Sequence, residues 1–239
     1  MSERTVREAR RAAVVGAGAW GTTFACLLAE AGTPTTLWAR RDHVAAEINA
    51  GSNERYVPGR RLPEGVSATS DLGRAVEGAD LIVVAVPSQS AREVLSPLQG
   101  GLGPDVLAVS LMKGVELGTG LRMSQVLTEA LDLPAERVAV ISGPNLADEI
   151  AARQPTATVV AATDEAVAAR VAALCATSTF RPYTNTDVLG VELCGAIKNV
   201  IALAVGAAVG CGFGDNSKAT IITRGLVEIT RLGMALGAS

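Results

Sequence analysis

A glycine motif between a strand and a helix constrains this chain more than any other feature. Residues 16–21 read Gly-Ala-Gly-Ala-Trp-Gly and match the pattern G-x-G-x-x-G. The motif follows the apolar run 12–15 and opens a helix-like segment, which is the context that a dinucleotide-binding turn requires. The glycines allow a tight turn and a close backbone approach to a pyrophosphate, which the helix N-terminus then holds. The sequence therefore predicts that Gly16, Gly18 and Gly21 bind a dinucleotide, with a purely structural turn as the alternative.

Short apolar runs alternate with helix-like segments through most of the chain. The runs are nearly continuous in apolar residues, as expected for strands of a sheet that helices cover on both faces. Strands that alternate with helices are typical of βαβ units. We therefore predict an α/β fold with a Rossmann-type doubly wound sheet. The predicted strands are 12–15, 35–38, 81–86, 106–111, 138–141 and 156–161, and the helices between them include 20–31, 91–98 and 164–176.

The pattern changes after about residue 180. Two long helices, 187–209 and 216–236, are predicted there, with a glycine-rich turn between them and no β pattern. The sequence thus predicts a dinucleotide-binding domain over 1–183 and the start of an all-helical domain over 184–239.

The first of these two helices is apolar enough to suggest a membrane span. However, it contains Glu192, Lys198 and Asn199. Each charge would cost about 2.5–3.5 kcal/mol at the centre of a spanning helix. We therefore expect a buried helix of a soluble protein, with no membrane span.

Composition excludes several classes of function. The 239 residues carry a formal net charge of −3 and no long basic run, so a nucleic-acid groove is not expected. The four cysteines are scattered without a C-x-x-C pair, which favours reduced, mostly buried thiols and no metal site. The basic and then apolar N-terminus is too short for a signal peptide and runs into the glycine motif. We expect a cytoplasmic protein.

The end of the second predicted strand indicates which dinucleotide binds. An enzyme specific for NAD usually has an acidic residue about 20 positions after the glycines. This chain has Arg40 and Arg41 there, which favours NADP(H), while Asp42 keeps NAD(H) possible. The alternative is a solvated arginine pair. Pro87, after the strand 81–86, is expected to turn the chain across the nicotinamide side of the cofactor.

Hydride transfer to a ketone needs a proton donor, and two lysines are the best candidates. The single histidine, His43, follows the arginine pair and is expected near the adenosine end of the cofactor. Lys113 follows a predicted strand, and Lys198 lies in the apolar helix on one face with Gly195 and Asn199. A buried ammonium needs a partner or a ligand. The alternative for Lys198 is a side chain that reaches the surface.

Eight segments, in order from Ala12 to the C-terminus, resemble the bacterial NAD(P)-dependent glycerol-3-phosphate dehydrogenases. One of them alone is unremarkable, but eight in matching order are highly specific. They are GAGAWG, LWAR, YVPGRRLP, AVPSQ, LMKGVE, ISGPNLADEIA, YTNTDVLGVELCGAIKNVIA and GFGDNSKATIITRGL.

This resemblance implies an oxidoreductase that interconverts dihydroxyacetone phosphate and sn-glycerol 3-phosphate and supplies glycerophospholipid synthesis, as a homodimer at full length. It implies that Lys198 is the catalytic acid in the reduction and the base in the reverse reaction. Asn199 is its neighbour in the family's Lys-Asn pair, and the position of Asn145 is often Ser or Thr in relatives. The implied cofactor contacts are Ala19, Trp20, Arg40, Arg41, Lys113 and Ala147, and the implied substrate site is lined by Lys113, Gly143, Asn145 and Lys198.

The chain departs from the family pattern at its C-terminal end. Relatives continue past the position of Ser239. The resemblance places there an aspartate partner for the lysine and a Ser-Arg-Asn element that holds the substrate phosphate. The chain can be interpreted as a fragment, as a truncated gene product or as a naturally shortened variant, and all three interpretations stay open. So do two other functions, a related β-hydroxy acid dehydrogenase and an NADPH-binding protein without catalysis.

Overall fold

A computed structural model describes residues 11–239, and within them eight strands form a single sheet. The strand order is β3-β2-β1-β4-β5-β6-β7-β8, and neighbouring strands are parallel except for the antiparallel pair β6 and β7. The basic N-terminal segment, for which the sequence analysis rejected a signal peptide, lies largely outside the described residues. The strands are β1 Ala12–Val15, β2 Thr35–Trp38, β3 Val66–Thr69, β4 Leu81–Val84, β5 Leu107–Ser110, β6 Val138–Ser142, β7 Thr156–Ala162 and β8 Phe180–Asn185.

Helices cover both faces of this sheet. Alternate residues of β1 enter different cores, because Ala12 and Val14 pack with α1 and α7 whereas Ala13 and Val15 pack with α4 and α5. This confirms the doubly wound α/β arrangement. The α-helices are α1 Ala19–Glu30, α2 Asp42–Asn49, α3 Leu72–Val76, α4 Ala91–Leu95, α5 Met123–Leu131, α6 Ala147–Ala151, α7 Glu165–Cys175, α8 Val188–Gly210 and α9 Asp215–Ala235.

All six predicted strands are present, and two further strands were missed. The missed strands, β3 and β8, are the two edges of the sheet. Both are largely polar on their exposed sides, and β8 contains Pro182, which edge strands tolerate. The sequence analysis found no β pattern from residue 187 onward, and the described residues have no strand there, but it did not predict β8 just before that segment. The predicted domain boundary at residue 184 lies inside β8, and the division into two domains stays a prediction.

The two long C-terminal helices are present and pack against each other. The expectation of a buried α8 was wrong, because only 22% of its most apolar stretch is buried. Val200 and Leu203 are 64% and 75% exposed. Among the described residues α8 is the one helix long and apolar enough to cross a membrane, by length and composition only, which is weak evidence.

The four cysteines differ in burial. All are free thiols; Cys175 is buried and Cys26 is partly buried, but Cys194 and Cys211 are exposed. The expectation of mostly buried thiols was therefore wrong for Cys194 and Cys211. Burial raises the pKa of Cys26 and that of Cys175 to about 12, so both remain neutral.

Candidate active site

The glycine loop after β1 is shaped by two close backbone approaches. Gly16 has φ +119°, and a Cβ placed there would lie 2.7 Å from the carbonyl oxygen of Ala85. A Cβ on Gly21 would lie 1.9 Å from the carbonyl oxygen of Gly16. Gly18 faces open space. The loop thus requires glycine at two positions for packing and leaves the third free for the approach of a ligand.

The N-terminus of α1 is open to an anion. Gly18 is its N-cap, no side chain caps it, and its first turn contains no acidic residue. The first N–H groups of the helix therefore lack protein partners and carry partial positive charge. Ala19 and Trp20 are in this turn. The Trp20 ring packs against Phe24 and Phe180, with centroids 5.4 and 6.3 Å away, so its backbone is the part that borders the loop.

Asn53 supports the glycine loop and was missed by the sequence analysis. It is fully buried, and its Nδ2 donates to the carbonyl oxygen of Ala17 at 3.2 Å and to Thr22 Oγ1 at 2.9 Å. An asparagine 32 positions after Gly21 carries no local signal of this role. It links the loop after α2 to the cofactor turn.

Arg40 and Arg41 lie at the carboxyl end of β2, where the sequence placed them. Both are exposed, and Arg41 is the extended N-cap of α2. Neither side chain forms a hydrogen bond or ion pair with any residue from 11 to 239. His43 is exposed in the first turn of α2, next to this pair. Two uncompensated guanidinium groups at this strand end suit a ribose phosphate.

The loops after β4 and β5 are tied to each other. Pro87 is exposed and starts a single 3-10 turn after β4. Gln89, in that turn, donates to the carbonyl oxygen of Val115 at 2.8 Å and accepts from the Leu117 N–H at 2.9 Å. Gln89 is a second positioning residue that the sequence analysis did not assign. The connection places Pro87 beside the loop that carries Lys113.

Lys113 lies just beyond β5 and points across to the end of β6. Its Nζ donates to the carbonyl oxygen of Gly143 at 3.1 Å. Burial lowers the pKa of Lys113 below its usual range, and the positive charge of Lys198 lowers it further. The two lysines that the sequence singled out are therefore close enough to interact electrostatically.

Gly143 and Asn145 form a small polar network with Thr158 on β7. The Thr158 hydroxyl donates to the carbonyl oxygen of Ser142 at 3.1 Å and accepts from Asn145 Nδ2 at 3.0 Å. A Cβ on Gly143 would lie 3.2 Å from Thr158, so a larger residue would disturb this network. Asn145 Oδ1 is buried and has no partner among the described residues. An unpaired buried acceptor at this place suits a ligand donor.

Lys198 and Asn199 are exposed on α8, which corrects the expectation of a buried lysine. One turn earlier, Gly195 lets the helix approach β6 closely. A Cβ there would lie 2.4 Å from Ser142 Oγ. The helix therefore reaches the Lys113 loop through Gly195, while Lys198 extends its ammonium into solvent at the same edge of the sheet.

Glu192 anchors α8 on the other side of this edge. It is only 8% exposed, and its carboxylate pairs with Arg122 and accepts from the Ser124 N–H at 2.7 Å and the Ser124 hydroxyl at 2.6 Å. Arg122 is the N-cap of α5, so this carboxylate also lies at a helix N-terminus. Lys198 follows Glu192 on the same rigid helix.

Ala147, the remaining predicted cofactor contact, is the first residue of α6 and is half-buried. Its helix packs against α1, which places it beside the glycine-loop helix. The site combines a glycine loop that suits a pyrophosphate and arginines that suit a ribose phosphate with Lys113, beyond β5, and Lys198, on α8. This combination is typical of a dehydrogenase that uses a nicotinamide dinucleotide.

Comparison with known proteins identifies the family. Residues 11–168 match the model of the NAD-dependent glycerol-3-phosphate dehydrogenase N-terminus, and residues 187–239 match the model of its C-terminus. The chain belongs to the NAD-dependent glycerol-3-phosphate dehydrogenase family. The matched stretches include every site residue described above.

Relatives and solved structures agree with this assignment. The chain is 57% identical over 229 residues to glycerol-3-phosphate dehydrogenase [NAD(P)+] of Streptomyces griseus, which covers 95% of this chain and 68% of that protein. It is 56% identical to the enzyme of the same name from Thermobifida fusca, with the same coverage. The crystal structure of glycerol-3-phosphate dehydrogenase from Coxiella burnetii superposes with a TM-score of 0.88 at 36% identity, over 96% of this chain and 70% of that one.

Proposed function

We propose that this chain reduces dihydroxyacetone phosphate to sn-glycerol 3-phosphate with NADPH and catalyses the reverse reaction. The observation that carries the proposal is the position of Lys113 and Lys198. Lys113 lies beyond the carboxyl end of β5, where open α/β sheets bind ligands, and the positive charge of Lys198 on α8 is near enough to lower its pKa. The relatives named glycerol-3-phosphate dehydrogenase [NAD(P)+] favour this function over a β-hydroxy acid dehydrogenase.

The residues present fit the cofactor. The close approach at Gly16 and the uncapped N-terminus of α1 suit a pyrophosphate. Arg40 and Arg41, without partners among the described residues, would hold a 2′-phosphate, so NADP(H) is favoured. NAD(H) remains possible, because Asp42 follows in the first turn of α2 and the relatives are named for NAD(P)+.

In the proposed reaction the bound dinucleotide supplies the hydride. Lys198 donates a proton to the carbonyl oxygen at C2 of the substrate and takes it back in the reverse reaction. Lys113 places fixed positive charge beside the developing alkoxide and the substrate phosphate. Because Lys113 is held by the Gly143 carbonyl, it adds charge without moving during the reaction. Asn145 and Asn199 orient the substrate hydroxyl groups in this scheme.

The first experiment is NADPH oxidation with dihydroxyacetone phosphate. It compares this chain with a version extended to the length of its relatives, and NADPH binding is titrated on both samples. Turnover in this chain supports the proposal as stated. Turnover only in the extended version would assign the reaction to the longer protein and leave this chain as its cofactor-binding part. NADPH binding without turnover in both samples would favour a binding protein without catalysis, and activity restricted to a β-hydroxy acid would favour the related dehydrogenase.

The remaining features of the proposal concern location and assembly. We propose a cytoplasmic enzyme of glycerophospholipid synthesis, with no membrane span and no nucleic-acid partner. We also propose a homodimer at the length of its relatives. The apolar residues exposed on α8 and α9, such as Leu203 at 75% and Met234 at 66%, support further burial by protein. Light scattering of the protein extended to the length of its relatives, at several concentrations, tests the homodimer. A monodisperse monomer would contradict it.

A further inference from the structure

A second, basic cavity lies along α1, beyond the glycine loop. Its volume is about 300 Å³, and it is bordered by α1, the loop 57–63 and the end of α6. None of the residues 16–20 lines it. Its charged lining consists of Arg60, Arg61, Arg153 and Glu30, so two positive charges remain uncompensated in a chain of net charge −3.

The backbone around this cavity is fixed. Arg60 Nη1 donates to the carbonyl oxygen of Ala151 at 2.5 Å and ties the loop to α6. The Gly59 N–H donates to Glu54 Oε2 at 2.9 Å. Arg61 has no hydrogen bond or ion pair with any residue that the structure describes, although it is the next residue in this rigid loop. Arg61 lines the cavity and forms no contact that would give its guanidinium a structural role among the described residues.

Arg153 occupies a position that normally favours glycine. It has φ +59° and is the C′ residue of α6 in a Schellman arrangement, in which Arg153 N–H donates to Ile150 and Gln154 N–H to Glu149. An arginine there costs backbone free energy that glycine would not. Its one ion pair among the described residues, with Glu30 at 2.9 Å, is largely exposed and contributes little. Fold stability therefore does not account for this arginine, whereas its charge at the cavity does.

A neutral polar group completes the lining. Thr23 of α1 is 3% exposed, and its hydroxyl has no hydrogen-bond partner among the described residues. Guanidinium groups bind phosphate through paired N–H donors, and hydroxyl groups add a further contact. A volume of about 300 Å³ is at the lower end of the range for ligand sites, which excludes a second dinucleotide and admits a small molecule.

We propose that this cavity is a second anion site that binds the phosphate group of a small phosphate monoester. Arg61 and Arg153 supply the charge that recognises the phosphate, and Arg60 positions the loop. The site is separate from the cofactor turn and from the two lysines, so its occupancy does not depend on the proposed catalytic reaction.

The test is calorimetric titration of inorganic phosphate into the chain saturated with NADPH, at constant ionic strength. NADPH fills the phosphate subsites of the cofactor loop. We expect saturable binding that Arg61→Gln weakens at least about tenfold, since a charged hydrogen bond to an anion is lost. Lys113→Ala, which removes charge from the proposed substrate site, and the charge control Arg224→Gln on α9 should leave the Arg61-dependent phase of phosphate binding unchanged. Binding that Lys113→Ala removes and Arg61→Gln does not would place the anion in the substrate site and overturn the proposal, as would no saturable binding.

Two further comparisons sharpen this test. Arg153→Gly should weaken phosphate binding while the melting temperature stays equal or rises, because glycine suits φ +59°. A lower melting temperature with unchanged phosphate affinity would show a structural role and contradict the proposal. Malonate and methyl phosphate are titrated in parallel. Tighter binding of malonate than of methyl phosphate would contradict a phosphate monoester as the ligand and indicate a dicarboxylate instead.

Discussion

Asn53 Nδ2 lies 3.2 Å from the carbonyl oxygen of Ala17, inside the cofactor turn and 36 residues earlier in the chain. This contact and the bond to Thr22 fix the peptide between Gly16 and Gly18 in the shape that a pyrophosphate needs. The turn therefore depends on a side chain from a different loop as well as on its own glycines.

Asn53→Leu should weaken NADPH binding about tenfold, since it removes both hydrogen bonds to the turn and leaves the Ala17 carbonyl unpaired. Fluorescence titration of NADPH measures the effect. Asn49→Leu is the matched control, because Asn49 exchanges two hydrogen bonds with the backbone of Ala68 away from the turn. Equal NADPH affinities in the two variants would show that Asn53 has only a general structural role.

Substitution of two helical glycines by alanine should change the free energy of unfolding in opposite directions. Gly21→Ala places a Cβ 1.9 Å from the Gly16 carbonyl oxygen, so it should cost about 1–3 kcal/mol of unfolding free energy and weaken NADPH binding. Gly206→Ala, on the open face of α8, should add about 0.5–1 kcal/mol, because alanine favours the helix. Urea denaturation measures both. A stable Gly21→Ala with normal NADPH affinity would contradict the close approach.

Arg40→Asp should reverse the cofactor preference. Removal of a guanidinium that binds phosphate should weaken NADPH binding about 10- to 100-fold, and the new carboxylate should maintain or strengthen NADH binding. Titrations of both dinucleotides at two salt concentrations measure this. Arg74→Asp, on the exposed surface of α3, controls for the change in net charge. An unchanged ratio of the two affinities would assign Arg40 to the solvated surface.

Lys198→Ala should abolish turnover while NADPH binding survives, because it removes the proposed proton donor and leaves the cofactor turn intact. It should also raise the pKa of Lys113 toward its ordinary value of 10.5, since a nearby positive charge is lost while burial remains. Side-chain NMR titration of Lys113 gives this second readout, which does not require activity. Lys218→Ala, on the exposed surface of α9, is the control.

The lowered pKa of Lys113 also fixes the sign of a stability change. Between this pKa and the unfolded value near 10.5, the unfolded chain binds more protons, so stability rises with pH through that window. Lys198→Ala brings the folded pKa of Lys113 closer to its unfolded value, so the pH interval becomes narrower. The increase in unfolding free energy across that interval should then be smaller. A pKa of Lys113 that is the same in both proteins would show that the two lysines do not interact.

Glu192→Ala should lower the free energy of unfolding by about 3 kcal/mol, because it leaves Arg122 and the Ser124 groups without their carboxylate. Glu228→Ala, whose ion pairs with Arg224 and Arg231 are exposed, should change it by less than about 0.5 kcal/mol. Guanidinium denaturation compares the two variants. Equal losses would mean that Glu192 does not anchor α8 to α5.

Much of the architecture followed from local patterns. A buried strand has a continuous run of apolar residues, so the six central strands could be predicted. The cofactor loop could be predicted because its tight turn requires glycines at fixed positions. Lys113 was predicted at the carboxyl end of a strand, where open α/β sheets bind ligands, and the family resemblance implied that Gly143 lines the same site. The edge strands β3 and β8 could not be found this way, since a half-exposed strand lacks the continuous apolar run.

The sequence by itself determined the fold class, the position of the dinucleotide turn and the strand ends that carry the site. Only the tertiary structure decided which side chains outside the motifs support that site. Glu192 and Lys198 lie in the same apolar helix, yet Glu192 is buried against α5 and Lys198 is exposed, because only the first part of α8 packs on the sheet. Asn53 reaches the cofactor turn from 36 residues away. Such contacts depend on how distant segments of the chain pack together, and the local periodicity of apolar residues does not predict that packing.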